Sequence, residues 1–172
     1  MILRIPIAHI HGGEITIGAY DDALRHAITK LSNIHFVATA EYRKRVIQLG
    51  ENPKRVFNYG ALNTDAMKKI KLLSKNKLEK EINFSLGSRS LLVTFHPVTL
   101  EKNTSEKYFQ QILDVIDSYE GLNIIFTKTN ADTEGRIINQ MIDKYVEKNP
   151  QNTIAFKSMG QLRYISSLYY IT

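Results

Sequence analysis

The hydrophobic and polar positions of the chain repeat one pattern: a short apolar run, a loop, then an amphipathic helix. The first run, Ile5 to Ile10, has the length of a buried strand, and Gly12, Gly13 and Gly18 follow it in a loop free to turn sharply. Leu24, Ala27, Ile28 and Leu31 then fall at i, i+3, i+4 and i+7, one apolar stripe on a helix. Asp21 and Asp22 stand where carboxylates cap and stabilise a helix N-terminus. The pattern recurs with a strand at His35–Thr39 and a helix at Glu41–Leu49, whose apolar side is Tyr42, Val46 and Leu49 and whose stop is Gly50. After Pro53 a strand is expected at Arg55–Tyr59, and Thr64 is placed to cap a helix running into a lysine-rich stretch.

Between about Lys75 and Ser90 the pattern turns charged and then turn-like (Asn83, Ser85, Gly87, Ser88), which predicts a boundary. The expected organisation is a first domain over 1–75, an inter-domain segment over 76–90 and a second domain over 91–172. The second half opens with Leu91–Phe95, continuously apolar and β-branched, as a parallel strand covered on both faces should be. His96-Pro97 ends it, because proline cannot continue the ladder. A helix at Ser105–Ser118 carries Tyr108, Ile112, Val115 and Ile116. Then come a strand at Leu122–Phe126, a loop over Thr127–Asp132, a helix at Thr133–Glu147, a strand at Thr153–Phe156 and a last helix from Tyr164 to Thr172.

Composition narrows the classes without naming a function. At 172 residues with 43% hydrophobic content, the chain can build a real core. Its apolar stretches fall short of the ~20 residues of a membrane span, and no signal-peptide core follows Met1, so the expectation is a cytoplasmic protein without a membrane partner. With zero cysteines, disulfides, thiolate catalysis and cysteine-held metals are excluded. The net charge of +6 is concentrated at Lys68, Lys69, Lys71, Lys75, Lys77 and Lys80. Without interleaved aromatics or arginines, this reads as a solvated face rather than a nucleic-acid site.

In an open parallel sheet, ligands meet the carboxyl ends of the strands. That rule makes His9, His11, Glu14, Asp21, Asp22 and His26 candidates in the first half and His96 in the second. Their chemistry is mixed. His9 and His11 alternate on an extended strand and with Glu14 could share a metal ion, but no further ligand is evident and no metal or cofactor is expected. Asp22 and His26, four apart, fit a hydrogen-bonded pair on one helix face. Asp21 fits an N-cap and Asp22 a first-turn acid, while His35 reads as structural.

Three segments, His9-Ile10-His11-Gly12-Gly13-Glu14, Asp21 through Ser32 (DDALRHAITKLS) and Thr94-Phe95-His96-Pro97-Val98-Thr99, resemble the hydrolysing UDP-N-acetylglucosamine 2-epimerases of sialic and legionaminic acid biosynthesis, with Asn130 and the Lys157 segment also in place. The resemblance runs through nearly the whole chain. It implies an α/β fold of two Rossmann-like units of the GT-B type with a nucleotide-sugar in the cleft between them. It also implies that family members extend further at both ends, so that both units are incomplete here and the sequence is a central piece, homodimeric at full length. It further implies that Asp21 is the second catalytic carboxylate, that His96 and Asn130 contact the nucleotide, and that Ser158 and Met159 line the base pocket through backbone groups. Where the related non-hydrolysing enzymes carry a catalytic glutamate, this chain has His11, and the nearest acid is Glu14. Epimerisation with loss of the nucleotide needs a base near the C2 proton and an acid near the departing diphosphate. Glu14 is the first candidate, with His11 and His26 beside it, because a carboxylate in a glycine loop suits acid–base work near neutral pH. A GT-B glycosyltransferase, or a non-catalytic remnant, are the other readings.

Overall fold

The computed structural model describes residues 3–98, 101, 104–130 and 134–171, apart from the side chain of Ala66. The chain is α/β, with two parallel three-stranded sheets in two compact units, Met1–Lys69 and Ile70–Thr172.

In the first unit, β1 (Ala8–Ile10), α1 (Asp21–Leu31), β2 (Ile34–Val37), α2 (Ala40–Gln48), β3 (Val56–Asn58) and α3 (Leu62–Lys69) follow one another, and the strands lie in the order β1-β2-β3. The expected strand from Ile5 is shorter because Pro6 has no N–H for the ladder, and the amide of Ile7 goes to the Asn33 side chain at 3.0 Å. Strand β2 ends before Thr39 because that hydroxyl caps α2, accepting from the Tyr42 amide at 3.2 Å. Thr64, expected as a cap, lies inside α3.

The pleat sorts the strand residues onto two faces. His9, His35, Val37 and Val56 face the side on which Thr29 of α1 and Val46 of α2 are fully buried. Ile10, Phe36 and Phe57 stand side by side on the other face, where Phe36, Phe57 and Tyr59 stack at centroid distances of 5.8 to 6.2 Å. Ile10 is half-exposed and Tyr59 is 76% exposed, so this face has no helix over it among the described residues. The predicted α1 stripe also corrects: Leu24, Ile28 and Leu31 are each about half-exposed, and the helix is anchored instead through Thr29.

The second unit is covered on both faces. Its strands β4 (Ser90–Thr94), β5 (Asn123–Thr127) and β6 (Thr153–Phe156) pair in that order. Ile124 and Phe126, with Leu91, Val93 and Ala155 in register, pack against Phe109, Leu113 and Ile116 of α5 (Ser105–Asp117) and Ile138 and Ile142 of α6 (Gly135–Lys148). Ile125, with Leu92 and Ile154 in register, packs on the opposite face against Leu78 and Ile82 of α4 (Lys75–Ile82) and Tyr164 and Tyr170 of α7 (Gln161–Tyr170). Thr99, the loop residues Ala131 and Asp132, the expected helix start Thr133, and Thr172 lie outside the described residues. Helix α5 buries Phe109, Leu113 and Ile116, a rotation from the predicted stripe that leaves Tyr108 and Val115 exposed beside β4.

The expected inter-domain segment 76–90 is therefore not a linker. Leu78, Ile82 and Leu86 are buried in the core of the second unit, and the division falls at Lys69/Ile70 instead. The charges on α4 masked the apolar positions that hold it down. Leu78 is 0% exposed. Leu78→Ala is expected to destabilise the second unit by about 2–5 kcal/mol in urea unfolding, whereas a true linker residue would leave its midpoint unchanged.

Candidate active site

At the end of β1 the chain turns through His11, which adopts a left-handed φ of 66°, while its amide bonds to the Phe36 carbonyl at 2.9 Å. A histidine held there is strained, a state that persists where the surroundings enforce it and that clusters at functional sites. The turn brings His11 Nδ1 within 2.6 Å of a Glu14 carboxylate oxygen. The two side chains are 38% and 30% exposed, so the pair is open to a ligand.

Arginines brace this loop. Arg25 of α1 donates to the Glu14 carbonyl at 3.0 Å and to Asp22 at 2.8 Å and reaches the Thr16 hydroxyl at 3.3 Å, and Arg45 donates to the Gly13 carbonyl at 3.2 Å. Gly13, at φ 79°, has no room for a β-carbon, which would run into the Tyr42 carbonyl oxygen. Asp21 is an exposed first residue of α1 rather than its cap, which is Tyr20. Asp22 takes the Thr16 amide at 2.9 Å and the Arg25 guanidinium, so the expected Asp22–His26 pair does not form and His26 stays exposed. Arg25, Arg45 and Thr29 were missed from sequence. Only Arg25, three residues after Asp22, carried a local signal.

Beneath the loop, His9 is nearly buried, with Nδ1 3.1 Å from the Thr29 hydroxyl and its ring edge-on to that of His35 at 6.4 Å between centroids. Burial, reinforced by the neighbouring His35, Arg25 and His11 side chains, holds the His9 pKa below its ordinary 6.5. His35, 1% exposed, pairs through Nε2 with Glu51 at 3.2 Å. Glu51 is held below the ordinary carboxylate value chiefly by its hydrogen bond from Lys30. Among the described residues, no group of three His, Asp or Glu side chains is arranged to hold a metal ion.

The second unit has its own pocket, about 410 Å³, at the carboxyl ends of its strands. It brings together all four residues singled out there from sequence, His96, Asn130, Ser158 and Met159, and adds Lys128 and Tyr164. The loop carrying Asn130 is clamped from behind. Asn139 accepts from the Thr129 amide at 2.9 Å, the Thr129 hydroxyl donates to the Gly135 carbonyl at 3.0 Å, and a β-carbon on Gly135 would collide with the Asn130 carbonyl. Lys128 is held by Asp143 at 2.6 Å, and the Thr94 and Thr127 hydroxyls bond across the strand ends at 2.6 Å. Lys128 and Tyr164 gave no sequence signal because neither lies in a motif.

The description UDP-N-acetylglucosamine 2-epimerase belongs to the family model that matches residues 1–170. Over 166 residues the chain is 40% identical to a hydrolysing GDP/UDP-N,N'-diacetylbacillosamine 2-epimerase of Campylobacter jejuni, across 96% of this chain and 43% of that relative. It is 33% identical over 153 residues to a UDP-N-acetylglucosamine 2-epimerase of Neisseria meningitidis, across 89% of this chain and 39% of that one. A crystal structure of the UDP-GlcNAc 2-epimerase from Neisseria meningitidis bound to UDP-GlcNAc superposes with a TM-score of 0.73 at 19% identity, over 95% of this chain and 46% of that one. The chain thus spans about two fifths of the length of the curated relatives it matches, and its Rossmann-like units are those of the GT-B type fold.

Because His9 binds its proton less readily in the folded unit, the unfolded chain takes that proton up at higher pH. Its contribution to stability is complete above pH 6.5 and is lost as pH falls through the folded value. The urea midpoint of the first unit, read from its own amide signals, is expected to fall between about pH 7.5 and about pH 5.5, and His9→Gln to flatten that fall. An equal fall in the variant would rule His9 out as the source.

Proposed function

Since the chain belongs to the UDP-N-acetylglucosamine 2-epimerase family, we propose that its activity is the hydrolysing epimerisation of a nucleotide-linked acetamido sugar, UDP-N-acetylglucosamine or a diacetamido relative. A base removes the C2 proton and the C1–O bond to the diphosphate breaks, leaving a glycal and free nucleotide. Water then adds across the double bond, its hydroxyl to C1 and a proton to the opposite face of C2, so that the product is the free sugar inverted at C2. The observation that carries this reading is the His11–Glu14 contact of 2.6 Å at the end of β1. It brings together the two residues between which the sequence leaves the proton-transfer role open, so either can pass a proton to the other in that geometry.

Asp21 stands at the start of α1 as the second carboxylate, and His26 stands on the same helix with no partner among the described residues. In the second unit, His96 and Asn130 hold the nucleotide and Ser158 and Met159 line the base site. The shared pocket of about 410 Å³ supports this, as does the placement of these residues at strand carboxyl ends. Full-length action as a cytoplasmic homodimer on the route to sialic-type acids completes the proposal, and the epimerase names of the relatives favour it over a glycosyltransferase.

A version of the chain extended to the length of its relatives is expected to release UDP and N-acetylmannosamine from UDP-N-acetylglucosamine, or the matching diacetamido products from that substrate. Release of neither overturns the reading. In the same assay Glu14→Gln is expected to lower turnover by about 10²- to 10⁴-fold, and a loss below about tenfold removes Glu14 from proton transfer. For the nucleotide site, His96→Ala is expected to weaken UDP binding to the second unit by about tenfold in calorimetry, the scale of one lost hydrogen bond.

A further inference from the structure

A threonine hydroxyl has one proton to give. Thr29 lies on α1, fully buried, with its Oγ1 3.0 Å from the Arg25 carbonyl oxygen one turn back and 3.1 Å from Nδ1 of His9. If the hydroxyl donates to Arg25, in the back-bonded geometry helical threonines adopt, then His9 must donate through Nδ1 and both short contacts are hydrogen bonds. If the hydroxyl donated to His9 instead, two acceptor oxygens would face each other at 3.0 Å. Only the first arrangement satisfies both contacts.

We propose that Thr29 is a positioning residue whose hydroxyl holds His9 as the neutral, Nδ1-protonated tautomer, so that Nε2 carries a lone pair that accepts a hydrogen bond from a hydroxyl or amide N–H of the sugar. The Nε2 atom has no protein partner among the described residues and, unlike Nδ1 of His35, is not sealed from solvent. His9 stands two residues before His11 with its ring beneath the glycine loop, where a β-carbon on Gly12 would crowd its Nδ1 and Cε1. Burial, with His35, Arg25 and His11 close by, holds the ring's pKa below its ordinary value. His9 therefore serves as an acceptor beside the His11–Glu14 pair, and α1 supplies its orientation. The tautomer does not depend on the substrate proposed above; the acceptor role rests on it.

Long-range ¹H–¹⁵N spectra of the 172-residue chain distinguish a protonated ring nitrogen from one bearing a lone pair. The unsubstituted chain is expected to show His9 protonated at Nδ1. Thr29→Val is expected to swing the tautomer ratio toward the Nε2–H form by about tenfold, the scale of one lost hydrogen bond. Thr29→Ser, which keeps the hydroxyl, is expected to leave it in place. An Nε2–H tautomer in the unsubstituted chain or in Thr29→Ser overturns the proposal even if the valine variant fails to fold, and so does a ratio that valine leaves unchanged. UDP-N-acetylglucosamine added to saturation is expected to shift the His9 Nε2 signal. If it moves the amides around His96 and leaves Nε2 untouched, the acceptor role falls and the substrate reading stands. If it moves neither, the acceptor role falls, the substrate reading is decided by the turnover of the extended version, and the tautomer by the spectra without ligand.

Discussion

Strand β5 places Ile124 and Phe126 on one face of its sheet and Ile125 on the other, and burying each contributes about 1.5–3 kcal/mol. Covering both faces takes helices from both sides. That constraint pulls α4 out of its highly charged surroundings into the core, because Leu78 and Ile82 are what lies over Ile125 on that face. It also fixes α7, whose Tyr164 packs under the same face, and so sets the end of the pocket that holds Ser158 and Met159. The pocket is a by-product of this layering. Its residues come from loops that leave a sheet rigid on both sides.

The first unit is organised by polar contacts instead. Its strands are three or four residues long and its helix α1 is pinned through a threonine hydroxyl and a histidine rather than through an apolar stripe. What keeps the His11–Glu14 loop in shape is Arg25, which ties a backbone carbonyl, a carboxylate and a hydroxyl together. A charge-assisted network of this kind gives geometry at little apolar burial, and its members stand or fall together.

The strands, their order of appearance and the glycine loop were legible in the sequence because periods of 2 and 3.6 and the turn residues report directly on backbone geometry. His96 was marked by its place at a strand end, whereas Asn130, Ser158 and Met159 were singled out only through the family resemblance; all four line one pocket. Two kinds of information were not legible. One was the face on which each helix is buried: Leu24, Ile28 and Leu31 have the spacing of a core stripe, and only the tertiary contacts reveal that Thr29 is the residue turned inward. The other was partner choice among charges, where Asp22 had both His26 and Arg25 within one helical turn and Arg25 alone could also reach the loop. Placing 76–90 between domains has the same origin, because Leu78, Ile82 and Leu86 are spaced apart by charged and turn residues that dominate the local average.

The stacked aromatic face of the first sheet, with no helix over it among the described residues, makes the two units unequal in what they must lose to open. Local opening is cheapest where few apolar groups are buried. The first unit's buried cluster is Val37, Val46 and Val56, against eight buried residues in one of the two clusters of the second. On warming or in mild denaturant the His11–Glu14 loop is thus expected to dissolve while the pocket of the second unit persists. A signal from the second unit's pocket is then, on its own, no measure of how much of the first unit is still folded.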